Sequence, residues 1–163
     1  MDELSIKLLH LLERDATLTA DQIATMLGAD SIQVARRIGE LEADRVILRR
    51  KAVINWERAG DESVSAWIEV RVAPQRDTGF GSIASRIARF PEARSVLLLS
   101  GTYDLAVEIT GRTMKEVASF VSEKLAPLEG VHGTTTHFLL RRYKEDGEYY
   151  DDAANSSRLP FAP

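Results

Sequence analysis

The sequence predicts an α+β protein made of two consecutive domains, and three observations carry that prediction. Helical periodicity fills residues 2–42, punctuated by two N-cap signals and one glycine. From Ser63 on, strands of alternating or continuous apolar character are separated by two helical stripes in the order β-α-β-β-α-β. Between these two patterns lies a polar, glycine-containing stretch, ERAGDE at residues 57–62. Domains are therefore expected at residues 1–56 and 63–144, with 57–62 as a linker and 145–163 as a loosely ordered acidic tail.

A first helix is expected from Asp2 to Arg14. Leu4, Leu8, Leu11 and Leu12 share one face, while Ile6 and Leu9 form an opposite apolar strip that needs a partner subunit or a following strand to cover it. Thr19 followed by Gln22 is a capping box, and Leu18 before it can serve as a staple. Ile23, Ala24 and Leu27 recur at helical spacing, and Gly28 is the residue type that ends a helix in the left-handed conformation. Asp30 and Gln33 repeat the start signal for a third helix that buries Val34, Ile38 and Leu41.

Two helices joined by a short glycine-containing turn form a helix-turn-helix, whose second helix enters the DNA major groove. At about 100° per residue, Gln33, Arg36, Arg37 and Glu40 lie beside and opposite the buried stripe, and Ile32 is exposed near the helix start. Gln and Arg read adenine and guanine edges, and Ile can meet a thymine methyl. A plain αα-hairpin with a solvated charged face fits the same pattern. Beyond the helix, Arg49, Arg50 and Lys51 stand between two apolar runs, as a short hairpin or an extended wing with a basic tip.

Totals constrain the function. A chain of 163 residues suits one domain or two small ones. No apolar run approaches the roughly 18 residues of a membrane span, and MDELSIKL lacks the basic-then-apolar order of a signal peptide, so a cytoplasmic protein without membrane contact is expected. The absence of cysteine excludes disulfides, zinc ribbons and thiol chemistry. The net charge of −4 is unevenly spread. Across residues 33–58, seven basic residues (Arg36, Arg37, Arg45, Arg49, Arg50, Lys51, Arg58) face four acids, leaving +3, whereas residues 1–32 and 145–163 each carry −4. Local field decides whether phosphates are attracted, so the third helix and the basic segment after it are the expected DNA-facing region.

In the second domain, residues 64–72 alternate, with Ala66, Ile68, Val70 and Val72 on one side and Trp67, Glu69 and Arg71 on the other. Pro74-Gln75-Arg76-Asp77 separates this strand from the next element. A helix then carries Phe80, Ile83, Ala84, Ile87 and Phe90, stopped by Pro91. Residues 93–100, centred on VLLL, read as a strand buried on both faces. A turn at Gly101-Thr102 leads to a strand bearing Leu105, Val107 and Ile109. Thr113 and Glu116 cap a helix with Val117, Phe120, Val121 and Leu125 inward, and a last strand runs through residues 133–142. The two helices cover one sheet face. The other carries Trp67, Glu69, Arg71, Ala106, Glu108, His137, Leu139 and Arg141, and its apolar part points to dimerisation through the sheet. Tyr149, Tyr150, Leu159 and Phe161 of the tail are available to dock on a neighbour.

From residue 2 to residue 144 the chain resembles the Lrp/AsnC (leucine-responsive, feast/famine) transcription regulators. The resemblance rests on DELSIKLLHLL, on TADQIATMLGADSIQVARRIGELEADRVI, on AVIN, on LLLSGTYDLAVEI with its G-x-Y-D-L turn, and on LAPLEGVHGTTTHFLL. It implies a winged helix-turn-helix joined to a ferredoxin-like βαββαβ effector-binding domain. It also implies homodimers that can assemble into octamers, with an amino acid or related small molecule bound between subunits. By matching positions the effector turn is Gly101, Thr102, Tyr103 and Asp104, with Ser100 beside it and Thr134 and Thr136 on the adjoining strand. The DNA set is Gln33, Arg36 and Arg37, with Arg49, Arg50 and Lys51 on phosphates. Two departures stand out. Thr102 occupies a position where many members have an acid that helps bind an α-amino group, and Ser5 replaces a frequent Asp, with an expected effect on capping or local packing only.

No catalytic constellation, cofactor fingerprint or metal set emerges. His132 and His137 are five apart near one strand and point to opposite faces. The sirohaem decarboxylases share the two-domain fold and are the enzyme alternative. The outward-facing Arg36, Arg37, Arg49, Arg50 and Lys51 favour DNA.

Overall fold

The computed structural model describes residues 1–73 and 79–150. They fall into two compact units, one of Met1–Ile54 and one from Asn55 on.

The first unit is three helices, α1 (Glu3–Arg14), α2 (Ala20–Leu27) and α3 (Ser31–Ala43). Each start is a side chain accepting a free backbone N–H: Asp2 from Ser5, Thr19 from Gln22, Asp30 from Gln33. The capping box is complete, because the Gln22 side chain returns to the Thr19 N–H at 2.9 Å. Gly28 ends α2 at φ 63°, in the left-handed region, with no atom near the place a Cβ would take. The core is Leu8, Leu12, Ile23, Ala24, Val34, Ile38 and Leu41, with Leu9, Leu11, Leu18 and Ile47 packed at its edge. Of the expected outer strip on α1, Leu9 is thus partly covered and Ile6 remains exposed.

After α3 the chain turns through Arg45, a non-glycine at φ 57°, and the Val46 and Ile47 N–H groups both reach the Leu41 carbonyl. Residues 48–55 form no strand ladder. Of the two forms expected for the basic wing, the short hairpin is not formed, since no ladder joins these residues. Leu48, Val53 and Ile54 on it are exposed.

The second unit opens with a short helix, α4 (Trp56–Ala59), and contains a four-stranded antiparallel sheet of β1 (Val64–Val72), β2 (Ala93–Leu98), β3 (Leu105–Gly111) and β4 (Val131–Phe138). The order is β2-β3-β1-β4, the ferredoxin-like arrangement that β-α-β-β-α-β predicts. The central strand β1 pairs Ala66, Ile68 and Val70 with Ile109, Val107 and Leu105 on one side. On the other side it pairs them with Phe138, Thr136 and Thr134. The buried face meets α5 (Gly81–Ile87), α6 (Met114–Ser119) and the π-helical turn Phe120–Leu125 that continues α6. Residues 74–77, expected to separate the first strand from the helix, lie outside the described residues.

Four expectations are corrected. First, VLLL is not buried on both faces. β2 is an edge strand with one neighbour, and Leu97, Leu98 and Leu99 are 45, 61 and 38 % exposed. Second, the helix expected from the Thr113 cap changes period at Phe120. In a regular α-helix residues five apart turn about 140° away from each other. The wider π turn lets both Phe120 and Leu125 face the sheet. Third, the helix expected to carry residues 80–90 ends at Ile87, and Phe90 reaches the core from the turn beyond it, edge-on to Phe120 at 5.5 Å.

Fourth, residues 145–149, expected as loosely ordered, carry regular structure. β5 (Lys144–Glu145) and β6 (Glu148–Tyr149) form a hairpin about Asp146 and Gly147, both at positive φ. Arg142 bonds Glu108 at 2.9 Å on the helix-free sheet face and also holds Glu145, which accepts the Tyr150 hydroxyl. Asn55 donates to the Tyr150 carbonyl at 3.2 Å. The sequence of this segment has no apolar period because ion pairs rather than core packing hold it. Leu159 and Phe161 lie outside the described residues.

Two glycines separate backbone strain from crowding. Gly28→Ala costs about 1 kcal/mol, from the left-handed backbone alone. Gly130, at φ 91°, would place a Cβ 2.6 Å from Ile83 Cδ1, so Gly130→Ala costs more, about 2 kcal/mol or above. Urea unfolding of the two variants checks the order.

Candidate DNA interface and ligand site

On α3 the apolar stripe Val34–Ile38–Leu41 is fully inside, and the remaining face is outward. Ile32 is 78 % exposed, an unusual place for a large apolar side chain and the position expected for it. Gln33 is exposed one residue on, with its N–H already used by the Asp30 cap. Arg36 is 81 % exposed, and its Nε donates to Glu40 Oε1 at 2.9 Å.

Arg37 differs from its neighbour. Only 28 % exposed, it turns toward α1, where Nε donates to Ser5 Oγ at 2.6 Å and NH2 to Asp2 at 3.2 Å. Its NH1 donates to Glu40 Oε2 at 2.8 Å. Ser5 is completely buried, and its hydroxyl donates to Asp2 Oδ1 at 2.8 Å, leaving its lone pairs for Arg37. Arg37 is thus a brace between α1 and α3, with its donors turned inward. Ser5, expected to matter only for capping or local packing, is the buried end of that brace. Glu40 was legible as a neighbour of both arginines at i,i+3 and i,i+4 spacing. The contact between Ser5 and Arg37 spans 32 residues, and no local signal announces it.

Bonding lowers the Glu40 carboxyl below the usual carboxylate range, chiefly through Arg37 and then Arg36. Asp2 is lowered by the Ser5 N–H and hydroxyl, with a smaller part from Arg37. Depressed folded values mean that these groups stabilise the unit above the ordinary carboxylate range and lose that contribution as pH falls through it. Among the other expected phosphate contacts, Arg50 is paired with Glu42 at 2.8 Å, and Arg49 is exposed on the segment after α3.

The expected effector residues gather at one end of the sheet. The Leu99 N–H bonds the Asp104 carbonyl, closing residues 100–103 into an exposed loop on which Tyr103 is half-buried. The Asp104 N–H bonds Val70 and its Oδ2 accepts the Val72 N–H at 2.9 Å, so this carboxylate fastens the loop to the end of β1. Thr134 lies across β1 from that point, since Val70 pairs with both Leu105 and Thr134. Thr136 is one step further along, opposite Ile68. Gly101 has open space where a Cβ would stand, so no group of this unit requires a glycine there. A separate groove of about 480 Å³ runs between β3 and α6, lined by Thr110, Thr113, Glu116, Phe120 and Lys124 among others, and none of the expected effector residues borders it.

Among the described residues no cluster of His, Asp and Glu fits a metal ion, and no helix is long and apolar enough to cross a membrane. His137 pairs with Glu69 at 3.1 Å on the helix-free face, and His10 pairs with Glu13 at 3.5 Å on the surface of α1.

The contrast between the two arginines gives a stability test. Arg37→Ala, which removes one partner from each of Ser5, Asp2 and Glu40 and unties α1 from α3, lowers the melting temperature by several degrees. Arg36→Ala, at an exposed pair, lowers it by less than half as much. The gap narrows below the ordinary carboxylate range, where Asp2 and Glu40 become protonated, and thermal unfolding against pH measures it.

Two family models match: the AsnC-type helix-turn-helix domain over residues 1–42 and the Lrp/AsnC ligand binding domain over residues 65–149. The chain is 40 % identical over 164 aligned residues to the HTH-type transcriptional regulator YugG of Bacillus subtilis, covering 100 % of this chain and 99 % of that one. It is 27 % identical to the leucine-responsive regulatory protein of Rhizobium meliloti, covering 89 % and 92 %. The fold is shared with the Neisseria meningitidis regulator NMB0573, solved as its L-Met complex, at TM-score 0.69 and 23 % identity over 89 % of this chain and 93 % of that one. Full-length agreement with regulators, and both domain models in their expected order, place the chain in the Lrp/AsnC family of helix-turn-helix transcriptional regulators.

Proposed function

We propose that this regulator reads DNA in sequence-specific fashion with α3 in the major groove, acts as a homodimer or larger oligomer, and is modulated by an amino acid or related metabolite at the loop of residues 100–104. The observation that carries the DNA reading is the outward face of α3, where Ile32, Gln33 and Arg36 stand together over a fully buried stripe. Those three supply base contacts, and Arg49, Arg50 and Lys51 approach phosphates. Arg37 contributes through the position it holds rather than through free donors. A regulator rather than a catalyst is further supported by the regulators to which the chain is similar along its whole length.

Assembly is supported by apolar surface that a lone chain leaves to water. Leu97, Leu98 and Leu99 at edge strand β2, and the exposed Leu48, Val53 and Ile54 on the segment after α3, are the groups a second copy would cover. The effector reading rests on the loop of residues 100–104, where Gly101 leaves room for close approach to the backbone and Thr134 faces the same end of the sheet. Thr102 in place of an acid leaves Asp104 as the nearest carboxylate for an α-ammonium group, with one oxygen already held by Val72.

The protein is expected to shift duplexes from upstream of its own coding sequence in a gel assay, with affinity falling on the order of 10³ between 50 and 200 mM salt. Gln33→Ala and Arg36→Ala lose sequence preference, whereas Arg49→Ala weakens every duplex alike. Binding to no duplex, or binding insensitive to salt, refutes the reading. For the ligand, a thermal-shift panel of amino acids is expected to give a stabilising compound. Asp104→Asn keeps the acceptor for the Val72 N–H but removes the charge, so it should abolish that shift without lowering the unliganded melting temperature by more than a few degrees.

A further inference from the structure

Five side chains form one continuous bonded series on the first unit, and from the buried Ser5 outward exposure rises along it, while Asp2 at the other end is 60 % exposed. It starts at Asp2 and the fully buried Ser5, passes to Arg37 at 28 % and Glu40 at 39 %, and ends at Arg36 at 81 %. Each link is a hydrogen bond with charge on at least one partner, the class that holds geometry best. Arg37 uses all three of its nitrogens in the series. Its own tether is therefore stiff, and it fixes Glu40 through Oε2, leaving Oε1 for Arg36.

Where Glu40 takes hold of Arg36 matters. It accepts from Nε, the inner donor of the guanidinium, at 2.9 Å. The two terminal nitrogens form the opposite edge of that planar fork, and they are the pair that matches guanine O6 and N7. An arginine without such a tether spreads over many rotamers and must be ordered when it meets a base. Here that ordering is done beforehand by a carboxylate tied, through Arg37, to the buried Ser5 of α1 and to Asp2 at its cap.

We infer that Glu40 is a positioning residue for base reading: anchored through Arg37 to Ser5 and Asp2, it presents the terminal edge of Arg36 for bidentate contact with one guanine of the target duplex. This rests on the DNA reading of α3 and adds to it a residue that touches no base, a specified base, and a dependence on α1.

The test uses the full-length protein and a random duplex pool. Selection with the wild type is expected to yield a preferred sequence containing a guanine whose preference disappears in Arg36→Ala. At that position, substituting the guanine costs the wild type about tenfold or more in Kd. Glu40→Asp keeps the charge but is too short to span Arg36 and Arg37 together, and it should lose at least fivefold of that discrimination while preferences read by Gln33 persist. Ser5→Ala, which removes the buried anchor but leaves the Asp2 cap its N–H partner, should lose discrimination at the same base and at no other. Circular dichroism confirms that each variant is folded; if Glu40→Asp is not, Ser5→Ala decides. Unchanged guanine preference in the folded variants overturns the inference, and so does an equal loss at every position, which marks a purely structural role. A wild type that selects no sequence refutes the reading of α3 itself, and the inference with it.

Discussion

The second unit depends on β1 having a neighbour on each side. A strand so placed cannot slip by one residue without turning Ala66, Ile68, Val70 and Val72 out of the core on both ladders at once. That constraint decides which end of the sheet receives the loop of residues 100–104, because Leu105 must pair with Val70. It also sets Glu108 on the helix-free face opposite Trp67, where Arg142 and the C-terminal hairpin attach. The Asp104 carboxylate then secures the last N–H of the strand, at Val72, which would otherwise have no partner on that side. Loop, hairpin and candidate ligand residues are consequences of one register.

The first unit has no comparable ladder, and its apolar core is small. Helices of this length are marginal alone and depend on packing between faces. Here a polar brace supplements that packing: Ser5 occupies a fully buried site on α1, and from it Arg37 ties α1 to α3. The arrangement has a cost in desolvated charge, offset by three partners arranged around one guanidinium. Placing the brace beside the outward face of α3 makes the stability of the helix packing and the geometry of that face a single property.

What could be read in the sequence was what neighbours in the chain decide. Thr19 with Gln22, Asp30 with Gln33, Gly28 after α2, and the Val34–Ile38–Leu41 stripe are local signals, and each was found where its spacing placed it. The strand order followed from β-α-β-β-α-β because few topologies satisfy that order. Long-range decisions were not legible. VLLL has the composition of a central strand, but its place at the sheet edge is set by β3 pairing with β1. The π turn arises from the need to seat Phe120 and Leu125 together against the sheet. In the hairpin at 144–149 the deciding contacts are Arg142 with Glu108, 34 residues apart, and Asn55 with Tyr150, 95 apart. For the candidate sites, outward exposure of Ile32, Gln33 and Arg36 was legible from angle alone, whereas the inward turn of Arg37 required knowing what α1 holds against it.

The same long-range pairing changes how the charge of the interface is understood. The +3 counted over residues 33–58 already includes Glu40 and Glu42, and the contacts show where those acids act: Arg36 and Arg37 share Glu40, Arg50 meets Glu42, and Arg37 also meets Asp2 from outside the count. A cation already facing a carboxylate attracts a distant phosphate weakly, since the two opposite charges nearly cancel at distances large compared with their separation. At contact, however, a base edge or phosphate can be met by the donors that the carboxylate leaves unused. On the proposed reading this lowers affinity for arbitrary DNA while preserving close-range contacts, which is a difference of affinities and therefore specificity. On that reading, the acids beside α3 hold its arginines in place, and the donors they leave unused decide which base edges are met.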